Sequence, residues 1–117
     1  MIEKIFNKKL LYALIVRKSY KKKKGVSFFT DKKATQQFGY MSHKKNHVIL
    51  PHSHNKRSSR IQTTTEVIIV LEGILRVDFY DNKEKYLFSK KIYADDLIML
   101  SNGGHGFKIL KDVKMIE

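Results

Sequence analysis

Residues 66–80, EVIIVLEGILRVDFY, constrain the fold more than any other stretch. The run Val67, Ile68, Ile69, Val70 is β-branched throughout, and such side chains fit a pleated surface better than a helix. We expect two strands, Glu66 to Leu71 and Ile74 to Tyr80, forming a hairpin that turns at Glu72-Gly73. Side chains alternate with a period of two. That pairing places Glu66, Ile68, Val70, Leu75, Val77 and Phe79 on one face. Val67, Ile69 and Leu71 occupy the other face of the first strand, which is therefore apolar on both sides and has to be covered on both. An N-terminal helix or a second copy of the chain is expected to supply the outer cover.

Most of the remaining chain reads in the same way. Short apolar runs over 26–29, 37–41, 47–52, 85–92, 97–100, 106–110 and 113–116 are separated by polar turns such as Asp81-Asn82, Asp95-Asp96 and Asn102-Gly103. Closely spaced short strands indicate an all-β sandwich or barrel. With one proline, six glycines and no linker-like segment in 117 residues, a single core is expected. The run Leu10 to Val16 stands apart because basic residues flank it on both sides. Seven residues are too few to cross a bilayer, and no small-residue cleavage site follows. It is read as a short helix packed on the barrel. The expected organisation is a basic N-terminal helix and connection over 1–24, then a barrel over 25–117. A cytoplasmic location is expected.

The charge is lopsided. Residues 1–60 carry sixteen Lys or Arg against two acids, whereas 61–117 carry eight against nine. Only four of the bases are arginine (Arg17, Arg57, Arg60, Arg76), so few side chains can make forked phosphate or base contacts. This argues against sequence-specific nucleic-acid binding. Contact between the basic half and an anionic membrane surface is the less favoured use of that charge.

No cysteine is present, so a metal would have to be held by histidine and carboxylate. His52-Ser53-His54 sets two imidazoles at i and i+2, on one face if the segment is a strand. Glu66 opens the following strand, and His105 sits in Gly103-Gly104-His105-Gly106. By parity each lies beside bulky apolar residues, the arrangement of a site within an apolar cavity. Three histidines and one carboxylate suit Fe, Mn, Ni or Zn. His43 and His47, beside Lys44 and Lys45, are read as surface residues. Arg60, Gln37 and Tyr40 are candidates for contacting a substrate. Gln37 and Tyr40 fall on opposite faces of one expected strand, so one of them at most points inward.

With these strands, His52-x-His54, Glu66-x6-Gly73 and the late His105 in place, the chain resembles the cupin superfamily. It is also similar to a narrower group of short bacterial cupins, through Gly25-Val26-Ser27-Phe28-Phe29-Thr30, Gln36-Gln37-Phe38-Gly39-Tyr40 and Gly103-Gly104-His105-Gly106-Phe107. The resemblance implies a double-stranded β-helix (a jelly-roll barrel), with His52, His54, Glu66 and His105 as ligands of a divalent metal. It also implies a link to surface-polysaccharide or nucleotide-sugar pathways. Departures are clear. Eleven residues separate His54 from Glu66 where the family has three or four, so Asn55 to Thr65 is expected to be an extended loop. Asn46 and Asp95 stand where the motifs have glycine, and the second motif's proline and closing asparagine are missing. The sequence stops at Met115-Ile116-Glu117 within an apparent strand, which reads as a truncated product.

Three functions remain open at this point. The first is an enzyme acting on a small molecule such as a sugar or nucleotide-sugar derivative. The second is a non-catalytic ligand-binding or assembly module on the same barrel. The third is a basic adaptor for anionic surfaces. A homodimer is expected through the outer face of the Glu66 strand.

Overall fold

The computed structural model describes residues 1–21 and 24–117. Among them all regular structure is β, in eight strands: β1 (Ile2–Asn7), β2 (Leu10–Val16), β3 (Gly25–Phe28), β4 (Gly39–Ser42), β5 (Glu66–Tyr80), β6 (Tyr86–Tyr93), β7 (Leu97–Leu100) and β8 (Gly104–Ile116). They fall into two compact units. One comprises Met1–Tyr20 with Thr63–Glu117, the other Lys21–Gln62. Lys22 and Lys23, in the basic connection expected after the helix, lie outside the described residues.

The first unit is a six-stranded antiparallel sheet in the order β1-β2-β7-β5-β6, with β8 on the other edge of β5. Its construction depends on a bend. β5 does not turn back as a hairpin at Glu72-Gly73; it runs on as one strand through Gly73, whose φ is 87°. The neighbouring strands bend with it. Along one edge β6 pairs Ile74–Tyr80 and β7 pairs Glu66–Ile69, and the Asp95–Val70 and Val70–Asp96 backbone hydrogen bonds bridge the gap. Along the other edge β8 follows β5 with register shifts on either side of Gly73. Glycine is needed here for two reasons. A Cβ would be strained at that φ, and it would sit 2.0 Å from the Asp112 carbonyl oxygen. The sheet thus curls into a half-barrel.

The helix expected over 10–16 is absent. These residues form β2, which pairs β1 on one side and β7 on the other. The physical reason lies in both faces being apolar. Ala13, Leu14 and Ile15 are all at 0 % exposure, and a strand between two strands buries both faces while satisfying its backbone. The two strands expected at 106–110 and 113–116 are likewise one, β8.

The expected inner face of β5 holds. Ile68, Val70, Leu75 and Val77 are fully buried and Phe79 nearly so, packed with Ile92, Ile98 and Leu100. Each contributes about 1.5–3 kcal/mol by leaving water. The outer face does not close within this unit: Ile69 and Leu71 remain exposed. At the bend, buried Asp96 ties the elements together. It accepts hydrogen bonds from the backbone N–H of Lys18 (2.9 Å) and Tyr93 (3.0 Å) and from Arg17 Nη1 (2.8 Å). Arg17 Nε donates in turn to Glu3, which also accepts from Lys90.

The second unit contains the antiparallel ribbon β3–β4, paired from Gly25↔Ser42 to Phe28↔Gly39. The strand expected over 47–52 is not formed. Residues 43–65 carry no strand, which includes the expected Asn55–Thr65 loop. Phe29 is buried and meets Phe38 edge-on.

Candidate functional site

The four residues proposed as metal ligands come together as two pairs, one in each unit. In the first unit Glu66 opens β5 and His105 is the second residue of β8, where it pairs with Phe79 near the far end of β5. Some forty ångströms of strand separate Glu66 from Phe79, at about 3.3 Å per residue. Only the bend at Gly73 and the short Ser101–Gly103 connection from β7 to β8 allow the two ends to meet. His105 Nε2 lies 3.1 Å from Glu66 Oε2, and both side chains are partly exposed.

The connection is tight because of Gly103. Its φ is 72°, and a Cβ there would lie 2.2 Å from the Tyr12 ring. Ser101 and Asn102 donate to the Leu11 carbonyl, at 2.6 and 2.8 Å, and fix the same turn. Beside the pair, Tyr80, Glu84, Gly104 and His105 line a cavity of about 350 Å³.

In the second unit His52 and His54 lie in the strandless segment, so their proximity comes from local geometry and not from a pleat. Their rings meet edge to face with centroids 5.4 Å apart. His52 Nδ1 is 2.9 Å from the Leu50 carbonyl. When Nδ1 carries the proton and donates to that carbonyl, Nε2 is left with its lone pair outward, the form in which an imidazole binds a metal.

Imidazole nitrogen and carboxylate oxygen are donor types that divalent ions accept, and the 3.1 Å His105–Glu66 contact is also that of an ordinary hydrogen bond. An imidazole nitrogen and a carboxylate oxygen that each sit about 2 Å from one ion stand about 3 Å apart, close to the Glu66–His105 separation. Two imidazoles on one ion have ring centroids about 5 Å apart, close to the His52–His54 separation. Within neither unit do three His, Asp or Glu side chains of the described residues converge.

His54 also borders a cleft of about 510 Å³ lined by Phe28, Lys32, Thr35, Gln37, His54, Asn55 and Arg57. Here the substrate candidates part company. Gln37 is in the cleft wall, where its Nε2 donates to the Asp31, Lys32 and Ala34 carbonyls and shapes the 31–37 loop. Tyr40 is on β4 opposite Ser27, half-buried. Arg60 is exposed and is not among the lining residues; Arg57 takes that role, with Nη2 donating to the Ala34 carbonyl at 2.6 Å. Arg57 and Lys32 had no motif to mark them. The sequence signal they did carry was closeness to His54 and Gln37 within a basic stretch.

His43 and His47 are exposed, as expected of surface residues. Their rings stack at 4.2 Å because the chain turns at Asn46, whose φ is 71°.

No helix among the described residues is long and apolar enough to cross a membrane. Compared with known proteins, the chain matches no family model, and no curated protein or solved structure is significantly similar to it.

Proposed function

We propose that this chain is a metal-binding protein of the cupin type that binds or acts on a small molecule, a sugar or nucleotide-sugar derivative. The observation that carries the reading is the pairing of the candidate ligands: Glu66 with His105 at 3.1 Å, and His52 with His54. The members of each pair are close enough to share an ion. The proposed ion is Fe, Mn, Ni or Zn, for which Glu66 and His105 in one unit and His52 and His54 in the other are the candidate ligands; it would act as a Lewis acid on a ligand oxygen. The chain's own contribution is binding. The cleft lined by Lys32 and Arg57 presents cationic donors suited to the phosphate groups of such a ligand.

A homodimer belongs to the same reading. Exposed Ile69 and Leu71 on the outer face of β5 favour a second copy as cover. A cytoplasmic location is part of it as well.

The test is metal content by mass spectrometry on untagged protein, beside the His52→Ala/His54→Ala and Glu66→Gln variants. Metal in the parent and a reduced content in each variant, with unchanged far-ultraviolet circular dichroism, is the expected result. A parent that takes up none of Fe(II), Mn(II), Ni(II) or Zn(II) refutes the metal site.

A further inference from the structure

The second unit has an unusual balance. Residues 21–62 carry eleven Lys or Arg against a single acid, Asp31. Yet seven large hydrophobic side chains of this unit are exposed: Val26, Phe28, Met41, Val48, Ile49, Leu50 and Ile61. Phe29 is its one buried hydrophobic side chain among the described residues. Every residue from His43 to Gln62 is exposed. Scattered exposed apolar residues need no explanation, but contiguous ones do. Val48-Ile49-Leu50 is contiguous, at 69 %, 54 % and 75 % exposure.

The ribbon adds a second apolar element by its register. Val26 faces Met41 across the strands, and Phe28 is two residues from Val26, so all three share one face. Lysines collect at both ends of it. Lys24 and Lys44-Lys45 flank the Gly25↔Ser42 end, while Lys32-Lys33 lie in the connection beyond the Phe28↔Gly39 end.

We infer that this unit docks on an anionic lipid surface, with Val48, Leu50 and the Val26–Met41 face entering the headgroup boundary and the lysines binding lipid phosphates. The chemistry separates this occupant from its rivals. A second copy of the unit would bring two strongly positive surfaces together. Nucleic acid is gripped by arginine forks and stacked on aromatic platforms, whereas nine of these eleven bases are lysine and six of the seven exposed hydrophobics are not aromatic. Aliphatic side chains flanked by lysines are the makeup of an interfacial membrane contact. This inference does not depend on the metal site, and none of the side chains tested below belongs to it or to the His54 cleft; Leu50 meets His52 through its backbone carbonyl, which the substitution keeps.

The test is co-sedimentation of the full chain with phosphatidylcholine vesicles, with and without about one-third phosphatidylglycerol. Binding only to the anionic vesicles is expected, and it should collapse in high salt. At about 1 kcal/mol per lysine near the surface, Lys44→Gln/Lys45→Gln should weaken it about thirtyfold. Val48→Thr/Leu50→Gln, which leaves the charge unchanged, should weaken it by about tenfold or more. Absence of binding to anionic vesicles overturns the proposal. So does binding that the lysine variant weakens but Val48→Thr/Leu50→Gln leaves intact, since that is bare polyanion attraction. Tighter capture of a single-stranded oligonucleotide than of vesicles overturns it in favour of nucleic acid.

Discussion

Asp96→Ala should be among the most damaging single substitutions in this chain, although it removes no hydrophobic contact. Asp96 is 2 % exposed and accepts three hydrogen bonds, two from backbone N–H groups and one from Arg17. Alanine leaves both N–H groups without their acceptor, at about 1–3 kcal/mol each, and strips a half-buried guanidinium of a carboxylate. Removing one partner of a buried ion pair costs about 3–5 kcal/mol, and that is the expected total. For a domain of this size, at about 4 °C per kcal/mol, the melting temperature should fall by about 12–20 °C. Thermal unfolding followed by circular dichroism measures it. A companion Arg17→Met variant makes the argument sharper. If Asp96 and Arg17 act through each other, the double variant should lose about 1–3 kcal/mol less than the two single losses combined. A drop below about 4 °C for Asp96→Ala, or strict additivity with Arg17→Met, would refute the claim that this carboxylate holds the bend.

Three further outcomes follow from the same geometry. Gly73→Ala should destabilise by more than the roughly 1–2 kcal/mol of a left-handed backbone alone, because its Cβ meets the Asp112 and Lys111 carbonyls and neither is free to swing away; urea unfolding measures it. Phe79→Ala, which empties a nearly fully buried site, should cost about 3–5 kcal/mol by the same assay. Stability should also fall in acid. Burial pulls the Asp96 carboxyl upward, but the Lys18 and Tyr93 N–H groups and Arg17 outweigh it and hold it below the usual range. Arg17 does the same for Glu3 against a weaker pull of burial, and Arg76 with Ser89 for Asp78. Depressed carboxyls stabilise the folded state above their unfolded pKa of about 4 and lose that contribution as pH falls through the folded values. Melting temperature should therefore drop steeply below about pH 4, and less steeply in Asp96→Asn; a flat profile there would contradict the ion-pair assignments.

How much of this was legible in the sequence depended on the range of the physics involved. The inner face of β5 could be read because alternation is local: Ile68 and Val70 before Gly73, and Leu75 and Val77 after it, declare their own parity. Leu10–Val16 could not, since seven apolar residues in a row carry neither a period of two nor one of 3.6. What made it a strand was the edge of β7, far along the chain. Gly73 suited a hairpin and a bend equally. The choice was made by β6 and β7, which run in line along one edge of β5 and bend with it. Glu66 and His105 were each singled out as candidate ligands, but their contact with one another was not legible in the sequence, because it depends on that bend. The strand expected to present His52 and His54 is not formed, and the two rings meet within a segment that has neither strand nor turn.

The position of β7 has a consequence for how the chain must assemble. β7 is the strip between β2 and β5, yet it follows β2 by roughly 80 residues. During synthesis the β1–β2 hairpin is made well before β7 and cannot acquire that partner until the intervening residues have followed. Through that interval Leu14 and Ile15, wholly buried at the end, are open to whatever they meet. Folding should accordingly be slow for the size of the domain, and its vulnerable species should be an early hairpin with an unpaired apolar edge.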